Sequence, residues 1–497
     1  MKKIFIFLGI FLLYNTLTQG QTTFTLNNIN YVTKNDSTVT VTKGSSGMYV
    51  NIPSSVYFEN KKYTVTAIGD SAFLKNGSMQ SISLPETLKS IGVKAFYGCS
   101  GLSSIILPDS LTSISDRAFM SCRGLTNINI PNSVLKIGEF AFIYCDFLEK
   151  IEIPISVSSI GLGAFYSCYS LTAVNVDPNN LNYSSNDGVL YNKDKTILLK
   201  CPDSKSGNFD IPSSVKIIEE SAFYQCAFLT NITIPSSVTD IKNFSFSKCF
   251  GLDSIYIPSN VSSISYLAFS TFNAPIHVSI DNNYYSSLDG VLYDKEKTTI
   301  IKCPESKTGP IRIPQSVTTI GSLAVHNCLR LTSINIPESV TEIEYRAFLG
   351  CRSLDTIYVY NPVPILLNPD DLIFGSVGEI GNIDTACILL VPPGSAGLYR
   401  SADVWKDFYS IKEFEVIALN SIVSNAAMSV NLENNKISVK NLKKSATLAL
   451  YNLNGKEIFK TSISPFESVT LSNKLYGVYI VKVFTQESDM TQKILIL

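Results

Sequence analysis

The chain has 497 residues, 45% of them hydrophobic and only 16% charged, so it is too long for one ordinary core and too apolar to be disordered. Lys plus Arg is 40 and Asp plus Glu is 41, and the resulting net charge of -1 provides no global field to steer nucleic acid or an anionic membrane. Only two histidines occur, His277 and His326, which weakens imidazole-based metal or acid–base chemistry from the outset.

Residues 1–20 read as a secretory signal peptide. Lys2 and Lys3 form a positive start, Ile4 to Leu13 is an apolar run, and small residues at Thr18 and Gly20 place cleavage near the Gly20 to Gln21 bond. The run is too short for a helix across a bilayer about 30 Å thick, which takes roughly 20 residues. No later segment is long and apolar enough to be an integral membrane span, so the expected mature protein is exported. Residues 21–66 carry alternating stretches such as Ser37-Thr-Val-Thr-Val-Thr42, which predicts an N-terminal β cap.

From residue 67 to about 360 the chain repeats with a period of 23. Phe73, Phe96, Phe119, Phe142 and Phe165 mark one register, continued by Phe223, Phe246, Phe269 and Phe348. An Ala precedes most of them, and Pro85, Pro108, Pro131 and Pro154 recur in step. In the unit Leu125 to Cys145, Ile128 and Ile130 fall on one side of a short strand and Asn129 on the other. Pro131 ends that strand, because it cannot donate to a ladder. Val134 and Ile137 form a second apolar pair, and the three-residue step from Phe142 to Cys145 predicts a short helical turn. One unit cannot bury its own apolar face, whereas stacked units bury it jointly. The fold class is therefore a repeat solenoid of leucine-rich type, with a β-strand and a short helical turn per unit.

Two matched insertions interrupt the period, at about 177–210 and 281–312. Tyr183-Ser-Ser-Asn-Asp-Gly-Val-Leu-Tyr191 in the first answers Tyr285-Ser-Ser-Leu-Asp-Gly-Val-Leu-Tyr293 in the second. Asp187-Gly188 and Asp289-Gly290 read as tight turns, so each insertion is expected to be a small hairpin projecting from one rung. Residues 361–418 lose the period and are expected to close the far end. Residues 419–497 alternate as strands at Ile437 and Val439, Leu448 and Leu450, and Tyr479, Val481 and Val483, with a hairpin signal at Asn454-Gly455. They are read as a small all-β sandwich.

The registers Ile-x-Ile-Pro-x-Ser-Val and Ile-Gly-x-x-Ala-Phe-x-x-Cys, seen in Ile128 to Cys145, resemble the BspA-like leucine-rich repeat surface proteins over about residues 50 to 360. Tyr451-Asn-Leu-Asn-Gly-Lys456, Gly477-Val-Tyr-Ile-Val481 and Lys493-Ile-Leu-Ile resemble a type A sorting domain of the type IX secretion system. The two resemblances imply release or display at a Gram-negative cell surface, and adhesion to matrix proteins or other cells. They imply contact with the export machinery through the C-terminal domain, and they carry no ligand identity.

Eight of the eleven cysteines sit at one repeat position, among them Cys99, Cys122, Cys145 and Cys168. No close pair has the spacing of a zinc site. A ladder of small buried thiols is the expected reading, and a disulfide between neighbouring rungs is geometrically conceivable. Cys201 and Cys303 occupy equivalent places in the two insertions. The histidines sit in no nucleophile motif, and Asp177-Pro-Asn-Asn-Leu-Asn182 lacks the Gly and terminal Glu of a calcium loop. No catalytic, cofactor or metal residue is assigned, and the chain is not expected to be an enzyme. The outward strand positions are the candidate binding face: Ser83, Ile106, Asn129, Glu152, Asn175, Thr233, Tyr256, Asn335 and Tyr358. Amides and tyrosines in such a row offer hydrogen bonds and aromatic contact, although an ordinary solvated sheet face has the same composition. The expected function is adhesin-like binding of an extracellular protein, glycan or cell-surface ligand. The alternatives are a structural role in the envelope or a biofilm and, with less support, an unrecognised hydrolase.

Overall fold

In the computed structural model the described residues are 21–374 and 387–414, followed by 429–433, 436–440, 442, 444–451, 457–465, 467–470, 477–485 and 489–496. The signal peptide, part of the far cap and the Asn454-Gly455 turn lie outside them. The chain divides into two compact units, 1–413 and 414–497.

The first unit is a solenoid with two parallel β ladders and a third side made of turns. Alternation decides the first ladder: in Asn127–Asn129 the central Ile128 is buried and its neighbours are exposed. This strand pairs in parallel with Ser104–Ile106, so that Ile128 lies beside Ile105. After the corner at Pro131 comes the second strand, Lys136–Ile137. It pairs with Ser113–Ile114 on one side and Ser159–Ile160 on the other, aligning Ile114, Ile137 and Ile160. Each step of one coil is thus a step of 23 residues in the sequence.

The third side differs from the expected helical turn. The three-residue step survives as a turn, with Cys122 N donating to Phe119 O at 3.1 Å. However, Arg117 and Ser121, which flank Phe119, are left-handed, with φ of 56° and 61°. Phe140 and Tyr144 flank Phe142 in the same way, at 54° and 61°. Alternate residues therefore turn their N–H groups along the solenoid axis. Arg117, Phe119 and Ser121 donate to Glu139, Ala141 and Ile143 of the next coil, each at 2.8 Å. A helix would keep those donors within its own segment. Between the second strand and this side the coils approach closely: a Cβ on Gly138 would lie 2.4 Å from Asp116 N. The phenylalanines stack inside. Phe96, Phe119 and Phe142 have centroids 5.2 and 5.3 Å apart and nearly parallel rings.

The insertions do not project. Each is a three-stranded antiparallel meander built into the stack. Tyr183–Asn186, Val189–Asn192 and Ile197–Lys200 pair in sequence, and the last pairs in parallel with Ile217–Ile218 of the next coil. Tyr285–Leu288, Val291–Asp294 and Thr299–Lys302 repeat the pattern. The physical reason is that Val189, Leu190 and Tyr191 are all buried, so both faces of this strand are covered: Leu190 packs on the preceding core and Val189 and Tyr191 on the following one. The N-terminal strands Thr23–Leu26, Ile29–Thr33 and Thr38–Lys43 form a third copy, ending in parallel pairing with Lys61–Ile68. Its turn uses Asn27 and Asn28, at φ of 50° and 61°, where the insertions use Asp187 and Gly188, at 50° and 74°.

Each meander also stops the ladder before it. Asn180 Nδ2 donates to Pro154 O and Val157 O at 2.8 and 2.9 Å. The Tyr183 hydroxyl accepts from Ile160 N at 2.9 Å, and Ser185 Oγ from Val176 N at 3.0 Å. Asn282, Tyr285 and Ser287 make the same bonds one insertion later. Three hydrophobic clusters result, with their main runs at 24–174, 189–276 and 291–411. The last coils run through Thr356–Val359, Ile388–Val391 and Ser410–Glu413. Phe374 stacks on Phe348 at 5.3 Å, and buried Trp405 donates its indole N–H to Ile365 O at 2.8 Å.

The second unit has a three-stranded sheet and a four-stranded sheet, both antiparallel. Ile437, Val439, Leu448, Leu450, Val481 and Val483 form its core, as their alternation predicts.

The left-handed turns have a direct test. Ser121→Gly is expected to leave the urea midpoint unchanged or to raise stability by up to about 1 kcal/mol, because a left-handed L-residue costs roughly 1–2 kcal/mol. In a helical turn the same change would lower stability by about 1 kcal/mol. Equilibrium unfolding of the two proteins separates the cases by sign.

Candidate binding surface

The first ladder fixes where the candidate residues lie. Its strands alternate, so one residue per coil stands outward beside a buried Ile or Val. Ile106 pairs with Asn129, Glu152 with Asn175, and Asn335 with Tyr358. Asn175 Nδ2 donates to Glu152 Oε1 at 2.8 Å, a cross-strand contact on the outer surface. Ile106 is 83% exposed and Tyr256 is 54% exposed, both high for large apolar-bodied side chains.

All nine predicted residues occupy the same register position, but they do not form one continuous row. The meanders divide them. Ser83 to Asn175 belong to the first block, Thr233 and Tyr256 to the second, and Asn335 and Tyr358 to the third. The structure also adds members that the period alone did not supply. Asn51 pairs with Ser83, Asp210 with Thr233, and His277 with Tyr256. Arg312 pairs with Asn335, while Leu390 and Lys412 continue outward from Tyr358. Asp210-Ile-Pro212 and Arg312-Ile-Pro314 repeat the local pattern of Asn129-Ile-Pro131, so these two were legible from the residues around them. In the third block Tyr360 joins the group. Burial and Tyr358 push its phenol up, and the Arg312 guanidinium offsets part of that effect.

His277 stands exposed in the row, and His326 Nδ1 lies 3.9 Å from Glu305 Oε1 beside Lys302. Among the described residues no group of three or more His, Cys, Asp or Glu side chains could hold a metal ion. In the first insertion, Asp177 Oδ1 accepts from Asn179 N and the Asn180 amide is spent on the preceding coil. The repeat cysteines are buried thiols. Cys99, Cys122, Cys145 and Cys168 donate to the carbonyl of the Phe in the preceding coil at 3.1 to 3.3 Å. That carbonyl also receives a backbone N–H in its own coil, so the thiol fills its second lone pair.

Residues 66–192, 201–310 and 303–366 match the family model described as BspA type leucine rich repeat region, in six copies. Residues 424–497 match the model of a secretion system C-terminal sorting domain. Among solved structures, a leucine-rich repeat protein from Eubacterium ventriosum is 25% identical, with 72% of this chain and 94% of that chain covered and a TM-score of 0.48. A leucine-rich repeat protein from Bacteroides ovatus is 25% identical, covering 79% of this chain and 100% of its own, with a TM-score of 0.43. The pneumococcal vaccine antigen PcpA is 20% identical, covering 80% and 99%, with a TM-score of 0.41. No curated protein matches the chain.

The thiol ladder gives a pH dependence. Burial holds the Cys122, Cys145 and Cys249 thiols well above the ordinary thiol range. Unfolded thiols ionise near about 8.5, whereas these stay protonated in the native state. Above that pH the native state binds more protons than the unfolded state, so the contribution is complete at lower pH and is lost as pH rises. The expected loss is about 1.4 kcal/mol per pH unit for each thiol. Urea midpoints measured from pH 8 to pH 10 are expected to fall, and to fall less steeply in Cys122→Ser.

Proposed function

This chain belongs to the BspA type leucine-rich repeat family and carries a C-terminal sorting domain of the type IX secretion system, and from that premise we propose that it acts outside the cell as an adhesin-like binding protein. Export to the cell surface follows from the sorting domain, and protein binding is the usual work of the repeat family. Among the described residues no helix is long and apolar enough to cross a membrane. The finer reading is that the outward residues of the first ladder contact an extracellular protein or a surface glycan.

One observation carries this reading. Inner positions repeat from coil to coil, while the outward position changes chemistry at nearly every coil. Ile106, Asn129 and Glu152 are consecutive, and so are Arg312, Asn335 and Tyr358. Stacking constrains only the inner set, so the outer set is open to other uses. Its mix of amides, charges, tyrosines and an exposed Ile suits a contact surface with an apolar centre and polar surroundings.

The test uses the mature full-length chain against immobilised extracellular matrix proteins and a glycan array. Binding is expected, and the combined substitution Ile106→Ser, Tyr256→Ala and Tyr358→Ala should weaken it. One lost aromatic anchor of about 2 kcal/mol corresponds to roughly 30-fold in affinity. Unchanged binding in that variant, with an unchanged unfolding midpoint, would remove the row from the function. Stable multimers without any external ligand would favour a scaffolding role instead.

Sorting has its own readout. A chain lacking residues 419–497 is expected to accumulate inside the envelope with a folded solenoid, measured by cell fractionation and limited proteolysis. Normal surface delivery of the truncated chain would contradict the assignment.

A further inference from the structure

Ten of the eleven cysteines fall into two classes by geometry. Six thiols make close bonds to a carbonyl of the preceding coil. They are Cys99, Cys122, Cys145 and Cys168, at 3.1 to 3.3 Å, and Cys249 and Cys351, at 3.0 Å. Four others have only long contacts, and all four lie where a meander meets the next coil. Cys201 and Cys226 Sγ lie 3.9 and 3.6 Å from Pro202 O. Cys303 and Cys328 Sγ lie 3.7 and 3.6 Å from Pro304 O.

The cause is the meander itself. In a regular coil the residue that donates its N–H to the Ala carbonyl of the next coil is the stacking Phe, as Phe96 does to Ala118. At the meander coil this donor is a cysteine: Cys201 N donates to Ala222 O at 2.7 Å, and Cys303 N to Ala324 O at 2.6 Å. A thiol thus takes the place of a ring, in the coil before the next repeat cysteine. The carbonyl that would receive Cys226 belongs to Cys201 itself, 3.7 Å away. Both thiols of each pair crowd one carbonyl, Pro202 O for Cys201 and Cys226 and Pro304 O for Cys303 and Cys328. Cys351, in the coil after Cys328, is held by its own bond to Val325 O at 3.0 Å.

We propose that Cys201 with Cys226, and Cys303 with Cys328, are two disulfide sites that fasten each meander to the coil after it. An exported chain passes through an oxidising compartment, where such pairs form and persist. Closing either pair breaks no close thiol bond, whereas any pairing among the six ladder thiols would. The reaction is thiol–disulfide exchange with a small or protein disulfide. The two cysteines give up two protons and two electrons and gain one S–S bond, and the oxidant's S–S bond is reduced to two thiols. Burial disfavours thiolate in the finished fold, so exchange takes place while the coil is closing.

The experiment is refolding of the full-length chain in a buffer of oxidised and reduced glutathione, followed by alkylation and non-reducing peptide mapping. The expected result is two cross-linked peptide pairs, Cys201 with Cys226 and Cys303 with Cys328, each lighter by two hydrogens, with the other cysteines alkylated. Cys226→Ser should abolish the first link, leave Cys201 alkylated and preserve the second link. Alkylation of every cysteine in the folded chain would overturn the proposal, and so would a different link, such as Cys328 with Cys351. Because the readout is chemical, it is independent of whether the outer row binds a ligand.

Discussion

The backbone hydrogen bond from one coil to the next is the constraint on which the solenoid depends. A coil closes few of its own donors. Its two strands are only two to four residues long in most units, and its turn side sends alternate N–H groups along the axis. Arg117, Phe119 and Ser121 are satisfied only because the following coil presents Glu139, Ala141 and Ile143. An orphaned buried amide costs more than a made bond gains, so every coil requires a successor or a substitute. Side-chain packing follows the same axis. The Phe rings stack about one strand spacing apart because the ladder places them there, and the buried thiols complete the carbonyls those rings' residues expose.

This constraint explains the meanders. Wherever the regular coil stops, its outward-facing backbone groups need partners, and side chains of the meander provide them. The Asn180 amide, the Tyr183 hydroxyl and the Ser185 hydroxyl replace a missing backbone, and Asn282, Tyr285 and Ser287 do so again. Asn361 repeats the amide part of the device, donating to Glu338 O and Val340 O at 3.1 and 2.9 Å. The N-terminal strands use the same three-stranded form to begin the stack. Beginning and interruption are therefore one structural solution, used at the edge of each of the three cores.

Legibility in the sequence followed the same physics. Phe119, Cys122, Pro131 and Ile137 were readable because stacking demands one residue type per coil at one register. The outward row was readable from strand alternation, including Asn129 and Tyr358. The turn side was misleading because the spacing of Phe142 to Cys145 fits both a helical turn and an i to i+3 turn. The residues that decide between them, Phe140 and Tyr144, are not glycines and give no sign of a left-handed backbone. The N-terminal copy of the meander was hidden because its turn is Asn27-Asn28 rather than Asp-Gly. The insertions differ from the projecting hairpins that Asp-Gly predicts, because a hairpin signal does not say whether one face of the hairpin is buried or both.

Separation of inner and outer positions also limits what kind of surface this solenoid presents. Stacking fixes the distance between coils, so outward side chains recur at strand spacing, close enough for Asn175 to reach Glu152. The meanders then divide the row, so that Ile106, Asn129, Glu152 and Asn175 stand apart from Tyr256 and His277, and both from Arg312, Asn335 and Tyr358. Each block carries its own chemistry: amide and apolar in the first, tyrosine and imidazole in the second, guanidinium and phenol in the third. A ligand spanning the row would meet three surfaces in series, and a shorter one would select among them. Variation in the outer residues of one block leaves the backbone ladder of all three intact, because the bonds between coils that repeat at every step are made by main-chain groups.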